Sequence, residues 1–313
     1  MNGYTALRQG AAWLDFEARG RFWAAGEDRA RLLHAMTTNH VQSLAPGQGC
    51  YAFFLNAQGR ILGDVHLLCC EDRFLLDTEP ETHDLLFQHL DKYIIADDVT
   101  LEDARADLTV IAIEGPRSGV VIEQLGLPAP ERDHDHVQQG QFRVARISST
   151  GQPGFRLYLE RQARPAILAQ LEAAGVVQAT ADEQRIVRLE NRKPRYGEDI
   201  TDRNLVQETR QLQAVHFSKG CYLGQEIVER VRSRGQVHRL LSALTVEGSD
   251  PVDRGTAVRA GDTAVGEITS AAFSPALGKT VALGYLRSEH ATPKTRLSLD
   301  GRQVEVVGEC GGA

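Results

Sequence analysis

One cysteine stands in the octapeptide Lys219-Gly220-Cys221-Tyr222-Leu223-Gly224-Gln225-Glu226. A thiol reacts as its thiolate, and a nearby cation or a helix N-terminus favours that form. The sequence supplies both. Lys219 is two residues away, and from Leu223 onward the chain reads as a helix. Ile227, Val228 and Val231 share one side of it, Glu226 and Arg230 form an i,i+4 pair, and Gly235 is its C-terminal stop. Gly220 and Gly224 leave the backbone open on either side of the thiol. The same spacing suits a cysteine packed under the helix start, with the glycines serving only the turn, so the residues leave both readings open. No His-plus-Asn pair can be assigned as partners for a cysteine hydrolase.

Other candidates are sparser. Glu190, inside RIVRLENRKP, is either a buried acceptor for a ligand amide or a surface acid among Arg192 to Arg195. Asp133-His134-Asp135-His136 alternates possible metal ligands in a polar loop after Pro130, a pattern that is more often simply solvated, and no metal site is expected. Cys50, Cys69, Cys70, Cys221 and Cys310 include no C-x-x-C pair. Cys69 and Cys70 lie in the apolar run HLLCCEDRFLL and read as small buried hydrophobes.

The chain has 313 residues, which favours two or three domains, and its 42% hydrophobic and 25% charged residues are ordinary for a globular protein. A net charge of −7 argues against a chain-wide nucleic-acid surface, and no direct nucleic-acid binding is expected. Residues 185–239 run the other way, with 12 Lys/Arg against 7 Asp/Glu. A locally basic segment in an acidic chain suits an anionic small molecule. No apolar run approaches the ~18 residues of a membrane span, and the first residues lack a signal-peptide core, so a cytoplasmic location is expected.

The elements that must position these residues read as follows. ARLLHAMTT is a helix, and CYAFFL, ILGDVHLLC and RFLLDT are strands of a meander turned at Asn56-Ala57-Gln58-Gly59. Apolar residues at 85, 86, 90, 93 and 94 mark a second helix, and DVTLED and LTVIAIEGP are strands. Residues 131–141 read as a polar loop, followed by strands FRVARISST and GFRLYLE. RPAILAQLEAAG and DEQRIVRLENRKP are helices, the latter stopped by Pro194. From about residue 239 only short strands and turns remain, the pattern of a small antiparallel barrel or sandwich.

Lys219–Glu226 resembles the K-G-C-Y-x-G-Q-E signature of the YgfZ-type folate-binding proteins, relatives of the T-protein (aminomethyltransferase) of the glycine cleavage system. Asn56-x-x-Gly59-Arg60-Ile61, Lys92-Tyr93-Ile94 with Val99, Glu114-Gly115-Pro116, Arg188-x-Glu190 with Pro194, and Gly266-x-Ile268-Thr269-Ser270 with Ser274-Pro275 resemble further segments of that family, in order along nearly the whole chain. The resemblance implies an α+β protein in three parts arranged as a ring: two interlocked α+β parts within residues 1–238, divided near 45 and 110, and an antiparallel β-barrel over 239–313. It implies tetrahydrofolate in a central channel. Glu190 would hold the pterin, and Arg230 foremost would meet the glutamate carboxylates. Asn56, Arg60, Asp64, Tyr222, Gln225 and Glu226 would be further cofactor-binding positions. Cys221, with Lys219 beside it, would be the functional thiol of a protein supporting iron–sulfur cluster assembly or repair, with an effect on tRNA modification. Its partners would be folate and iron–sulfur client or carrier proteins.

The T-protein resemblance places a pair of acids near the one-carbon unit. Gly63 stands at the first position and only Asp64 remains, a departure that weighs against aminomethyl transfer. Gln207 replaces a usual proline and Asn191 a usual small residue. The alternatives are a folate-dependent one-carbon transferase and a non-catalytic interaction protein without folate.

Overall fold

In the computed structural model, residues 1–235 and 237–310 are described. The meander expected over 49–78 forms the core of a five-stranded sheet. Its strands lie in the order Gly49–Leu55, Ile61–Cys69, Arg73–Thr78, Gly20–Ala25 and Thr100–Asp103. A six-stranded sheet has the order Val177–Gln178, Ala12–Asp15, Leu108–Glu114, Gly154–Glu160, Phe142–Ala145 and His136–Gln139. The chain starts in the second sheet, crosses to the first between Asp15 and Gly20, and returns between Asp103 and Leu108, which interlocks the two parts.

Strand alternation sends neighbouring residues into different cores. In Ile61–Cys69, Val65 and Leu67 pack with Met36, Leu86 and Leu90 beneath the helices Arg29–Met36 and His83–Asp91. Leu68, with Leu75 of the next strand, faces Leu14, Val110, Ala112 and Tyr158 of the second sheet. Asp64 and His66 share the parity of Leu68, and Asp77 shares that of Leu75, so these polar side chains are directed into the space between the sheets. Arg156 reaches the same space beside Tyr158. The far face of the second sheet is closed by the helices Ser118–Gln124 and Arg164–Ala173.

Helix Ala181–Glu190 begins with a capping box between Thr180 and Glu183. It leads into a segment whose Tyr196, Ile200, Val206, Ala214, Val215, Tyr222 and Val228 cover Phe53, Leu55 and Ile61. The last part is a closed six-stranded antiparallel barrel that begins at Arg239–Val246 and ends at Arg302–Glu309. The expected α+β fold with a C-terminal barrel therefore forms. The polar 131–141 loop is in part a strand, His136–Gln139, because it pairs with Phe142–Ala145 at the sheet edge, where polar side chains are tolerated. Helices Gly3–Gln9 and Ser118–Gln124 were not legible, both being only seven residues long. Among the described residues no helix is long and apolar enough to cross a membrane.

Candidate functional site

A cavity of about 1050 Å³ opens between the two sheets and is closed by residues of helix Ala181–Glu190 and of the segment 193–213. Among the described residues no barrel residue lines it; the barrel stands behind the helix. The floor is a buried ionic lattice. Asp77 accepts from Arg19 Nε at 2.5 Å, from Arg156 Nη1 at 2.7 Å and from the Tyr158 hydroxyl. Arg19 also meets Glu79 at 2.6 Å, and Arg195 meets the other Glu79 oxygen at 2.9 Å. Although burial opposes it, Arg156 and Arg19 keep the Asp77 carboxyl below the usual carboxylate range, and Arg19 and Arg195 do the same for Glu79.

Asp64 is different. Tyr51 donates its hydroxyl to Asp64 Oδ2 at 2.8 Å, while Oδ1 is buried with no hydrogen-bond partner. Burial and the charge of Glu79 push its carboxyl up to about 6, against the pull of Arg19. An orphan acceptor facing a cavity is a place where a ligand N–H or O–H gains a bond that the protein does not supply. Beside it, His66 Nδ1 lies 3.0 Å from His134 Nε2, and burial pushes both imidazoles down, His134 to about 4. His134 is thus a cavity residue. Its neighbour His136 turns away to bond the Cys69 carbonyl at 2.9 Å, so the Asp133–His136 run does not converge on one point. No group of three or more His, Cys, Asp or Glu side chains that could hold a metal occurs among the described residues.

Of the expected thiol-site and cofactor-binding positions, only Asp64 lines the cavity; Asp133, His134, Arg188 and Pro194, noted in the sequence for other reasons, line it as well. Gly63 faces the opposite side of its strand, where a Cβ would meet Leu86 at 2.9 Å and Thr82 at 3.2 Å. A side chain at this position would therefore point into the helix core and away from the cavity.

Glu190 was expected at a pterin and is placed elsewhere. Its carboxylate accepts from Tyr4 at 2.6 Å and Ser274 at 2.5 Å and pairs with Arg8 at 3.1 Å, fastening the first helix and the barrel to helix Ala181–Glu190. Arg188 makes a parallel fastening. It pairs with Asp199 at 2.6 Å, and Asp199 accepts from Thr269 at 2.7 Å and Ser270 at 2.5 Å. The Arg-x-Glu and Thr-Ser…Ser-Pro segments are therefore two halves of one helix–barrel junction.

The octapeptide and the Asn56 turn are also partners. Asn56 Oδ1 accepts from the amides of Gln58 and Arg60, both at 3.0 Å, and Arg60 donates to the Arg203 carbonyl at 2.6 Å. A Cβ on Gly224 would lie 2.6 Å from the Asn56 carbonyl oxygen, and one on Gly59 would lie 2.7 Å from Ile227 Cβ. Both glycines have positive φ, 83° and 71°. That of Gly224 delays the helix to Gln225–Arg234, so Cys221 lies three residues before the N-cap and not at the first turn.

Lys219 does not face the thiol. Its ammonium donates to the carbonyls of His34 at 2.5 Å, Thr37 at 2.6 Å and Asn39 at 2.8 Å, and the Leu223 amide donates to the Ala35 carbonyl at 3.0 Å. Residues 219–223 thus cap the C-terminus of helix Arg29–Met36, whose last carbonyls have no intrahelical partner. Burial pulls the Lys219 pKa down to about 7. Tyr222 is buried, and Cys221, held between two anchored neighbours, is exposed. Gln225 is half-buried, and Glu226 and Arg230 are exposed, all three outside the cavity.

The sequence reading missed Tyr51, His66, Glu79, Arg19, Asp77, Arg156 and Lys193. A signal existed: each of Asp64, His66, Asp77 and Arg156 is a polar residue inside an otherwise apolar strand, and such residues need partners when buried.

Residues 2–219 match the family of the GCVT N-terminal domain, and residues 239–309 match the glycine cleavage T-protein C-terminal barrel domain. The chain is 28% identical to an aminomethyltransferase of Prochlorococcus marinus, over 97% of this chain and 84% of that one. It is 29% identical to an aminomethyltransferase of Synechococcus elongatus, over 91% and 80%. The crystal structure of glycine cleavage system aminomethyltransferase T from Bartonella henselae superposes with a TM-score of 0.91 at 21% identity, covering 98% of this chain and 87% of that one, a likeness of fold.

Proposed function

The chain belongs to the glycine cleavage T-protein family, and on that footing we propose that its central cavity binds tetrahydrofolate. The observation that carries this reading is the orphan Oδ1 of Asp64 in a cavity of about 1050 Å³, at the upper end of small-molecule sites. The pterin is rich in N–H donors, and a carboxylate held in place by Tyr51 is the acceptor they require. Tetrahydrofolate supplies a carrier for one-carbon units. The protein supplies orientation through Asp64 and a pocket between two sheets. Calorimetric titration with tetrahydrofolate under anaerobic conditions tests this: saturable one-to-one binding, weakened in Asp64→Asn, is expected, and no binding heat at two temperatures would refute it.

Within that family we assign the chain to the YgfZ type, a folate-binding factor that supports iron–sulfur cluster assembly or repair through Cys221, with an effect on tRNA modification. The support is local. Cys221 is the exposed one of the five cysteines, and the loop carrying it is anchored on both sides by Lys219 and Leu223. An exposed thiol on a fixed loop is accessible to an iron–sulfur client or carrier protein. Among the described residues three further cluster ligands do not stand nearby, so a cluster bound there requires ligands from another protein, a second copy or a small thiol. Rescue of a strain lacking the protein should be lost in Cys221→Ser with folding and folate binding intact, and full rescue would remove the thiol from the account.

A second reading, one-carbon transfer from an aminomethyl donor, is favoured by one observation: the surviving acid, Asp64, is the one whose strand parity aims it at the cavity. Formation of methylenetetrahydrofolate above the buffer rate would support it.

A further inference from the structure

Six arginines line the cavity, and each pairs with at least one carboxylate. Arg19 and Arg156 share Asp77, Arg146 has Asp133 at 3.2 Å, Arg185 and Arg188 share Glu198, and Arg195 has Glu79 and Glu81. Lys193 is the remaining cation of the lining. Among the described residues no carboxylate lies within 4.0 Å of its ammonium, and no acceptor is hydrogen-bonded to it. Its backbone is fixed nonetheless. The Lys193 amide donates to the Arg188 carbonyl at 3.0 Å, and the Lys193 carbonyl accepts from Arg188 Nη1 at 2.7 Å. Arg192 takes a left-handed φ of 57°, reversing the chain after the helix, and Pro194 follows. The side chain thus leaves a rigid turn and enters a cavity in which no carboxylate stands within ion-pair distance of it. Arg156 Nε is another cationic donor of the lining that is buried without an acceptor.

Lys193 is half-buried, and an ammonium drawn into a cavity without an ion-pair partner gives up part of its hydration with little to offset the loss. Such a group is retained where the counter-charge arrives from outside. Among the described residues the lining therefore holds one cation outside any ion pair, Lys193, and one buried acceptor without a hydrogen bond, Asp64 Oδ1. A ligand complementary to both carries N–H donors and an anionic group. In a reduced folate the groups that are anionic at neutral pH are the glutamate carboxylates. We propose that Lys193 anchors the ligand's anionic group, a carboxylate of the folate tail, in place of the exposed Arg230. This assignment rests on the folate reading above. Desolvation lowers the Lys193 pKa against the longer-range pull of Glu114, Asp133 and Asp64.

The test compares tetrahydrofolate with the diester of its glutamate tail on the full chain, in wild type, Lys193→Met and Lys193→Arg. Wild type should prefer the free acid by about tenfold or more, the range of a charge-assisted bond. Lys193→Met should lose that preference, Lys193→Arg should keep most of it, and Lys193→Met should melt no lower than wild type, since methionine keeps the stem and the ammonium it removes makes no ion pair. Wild type failing to bind tetrahydrofolate would overturn the folate reading and this assignment together. Wild type binding with Lys193→Met retaining the acid-over-ester preference would overturn the Lys193 assignment alone, as would a Lys193→Met protein that melts well below wild type and binds neither ligand.

Discussion

Lys219→Met should unfasten the octapeptide. Lys219 is 6% exposed, and its ammonium is the hydrogen-bond donor to three carbonyls at 2.5, 2.6 and 2.8 Å. A hydrogen bond to a charged group contributes about 1.5–3 kcal/mol net. The three share one ammonium and one desolvation penalty, so they do not add, and we take about 3 kcal/mol for the whole cage. Methionine keeps the stem and leaves the His34 carbonyl at the helix end unpaired. At about 2–4 °C per kcal/mol for a folding unit of 150–250 residues, the melting temperature should fall by roughly 6–12 °C. The folded pKa of about 7 lies below the usual lysine value of about 10.4. Between those values the unfolded chain binds more protons, so wild-type stability from this group rises with pH across the window and is lost as pH falls through about 7. The difference between wild type and variant should widen in the same direction. Thermal unfolding at pH 6.5 and pH 9 measures both effects. A variant melting within about 2 °C of wild type at both pH values would refute the carbonyl-cage account and return Lys219 to the thiol.

Further outcomes follow from other contacts. The Asp64 carboxyl, raised to about 6, contributes stability that is present below about 4 and lost as pH rises through 6. Tetrahydrofolate affinity, needing the carboxylate, should fall as pH drops below 6, and Asp64→Asn should flatten that profile; an unchanged slope in the variant would contradict the assignment. Asp199→Ala leaves buried Arg188 with Glu198 as its one carboxylate and takes an acceptor from Thr269 and Ser270, and should destabilise by about 1.5–3 kcal/mol in denaturant titrations, whereas a loss under about 1 kcal/mol would show that the helix–barrel junction holds without it. Gly224→Ala places a Cβ 2.6 Å from the Asn56 carbonyl oxygen at a φ of 83°, and should cost more than the roughly 1–2 kcal/mol of left-handed strain alone. A near-neutral result in the same titration would mean that the Asn56 turn moves aside.

Much of the fold was legible because it follows from local pattern. The meander around Asn56, the helix stopped before Pro194 and the loss of helical periodicity after residue 239 each reflect side-chain period or turn chemistry within a few residues. The site was legible only in part. Asp64 could be found as a carboxylate inside an apolar strand. Arg19, Glu79, Arg156 and Lys193 come from four separate places in the chain and meet only when two sheets and a helix enclose the cavity. Glu190 and Lys219 show the reverse: conspicuous residues in specific motifs whose charges are directed to Ser274, Tyr4 and Arg8, and to helix-end carbonyls.

By itself the sequence determined residue types, element periods, a chain organised into α+β parts and a barrel, and motifs specific enough to point to the family. Which of those motif residues face a ligand was decided by the tertiary structure. Strand parity set Asp64 toward the cavity and Gly63 toward Leu86, and the turn after helix Ala181–Glu190 put Lys193 into the cavity lining without an ion pair. The anchoring of Lys219 and Leu223 to one helix end left Cys221 outside. Direction and partnership are properties of packed neighbours distant in sequence, and a one-dimensional pattern does not contain them.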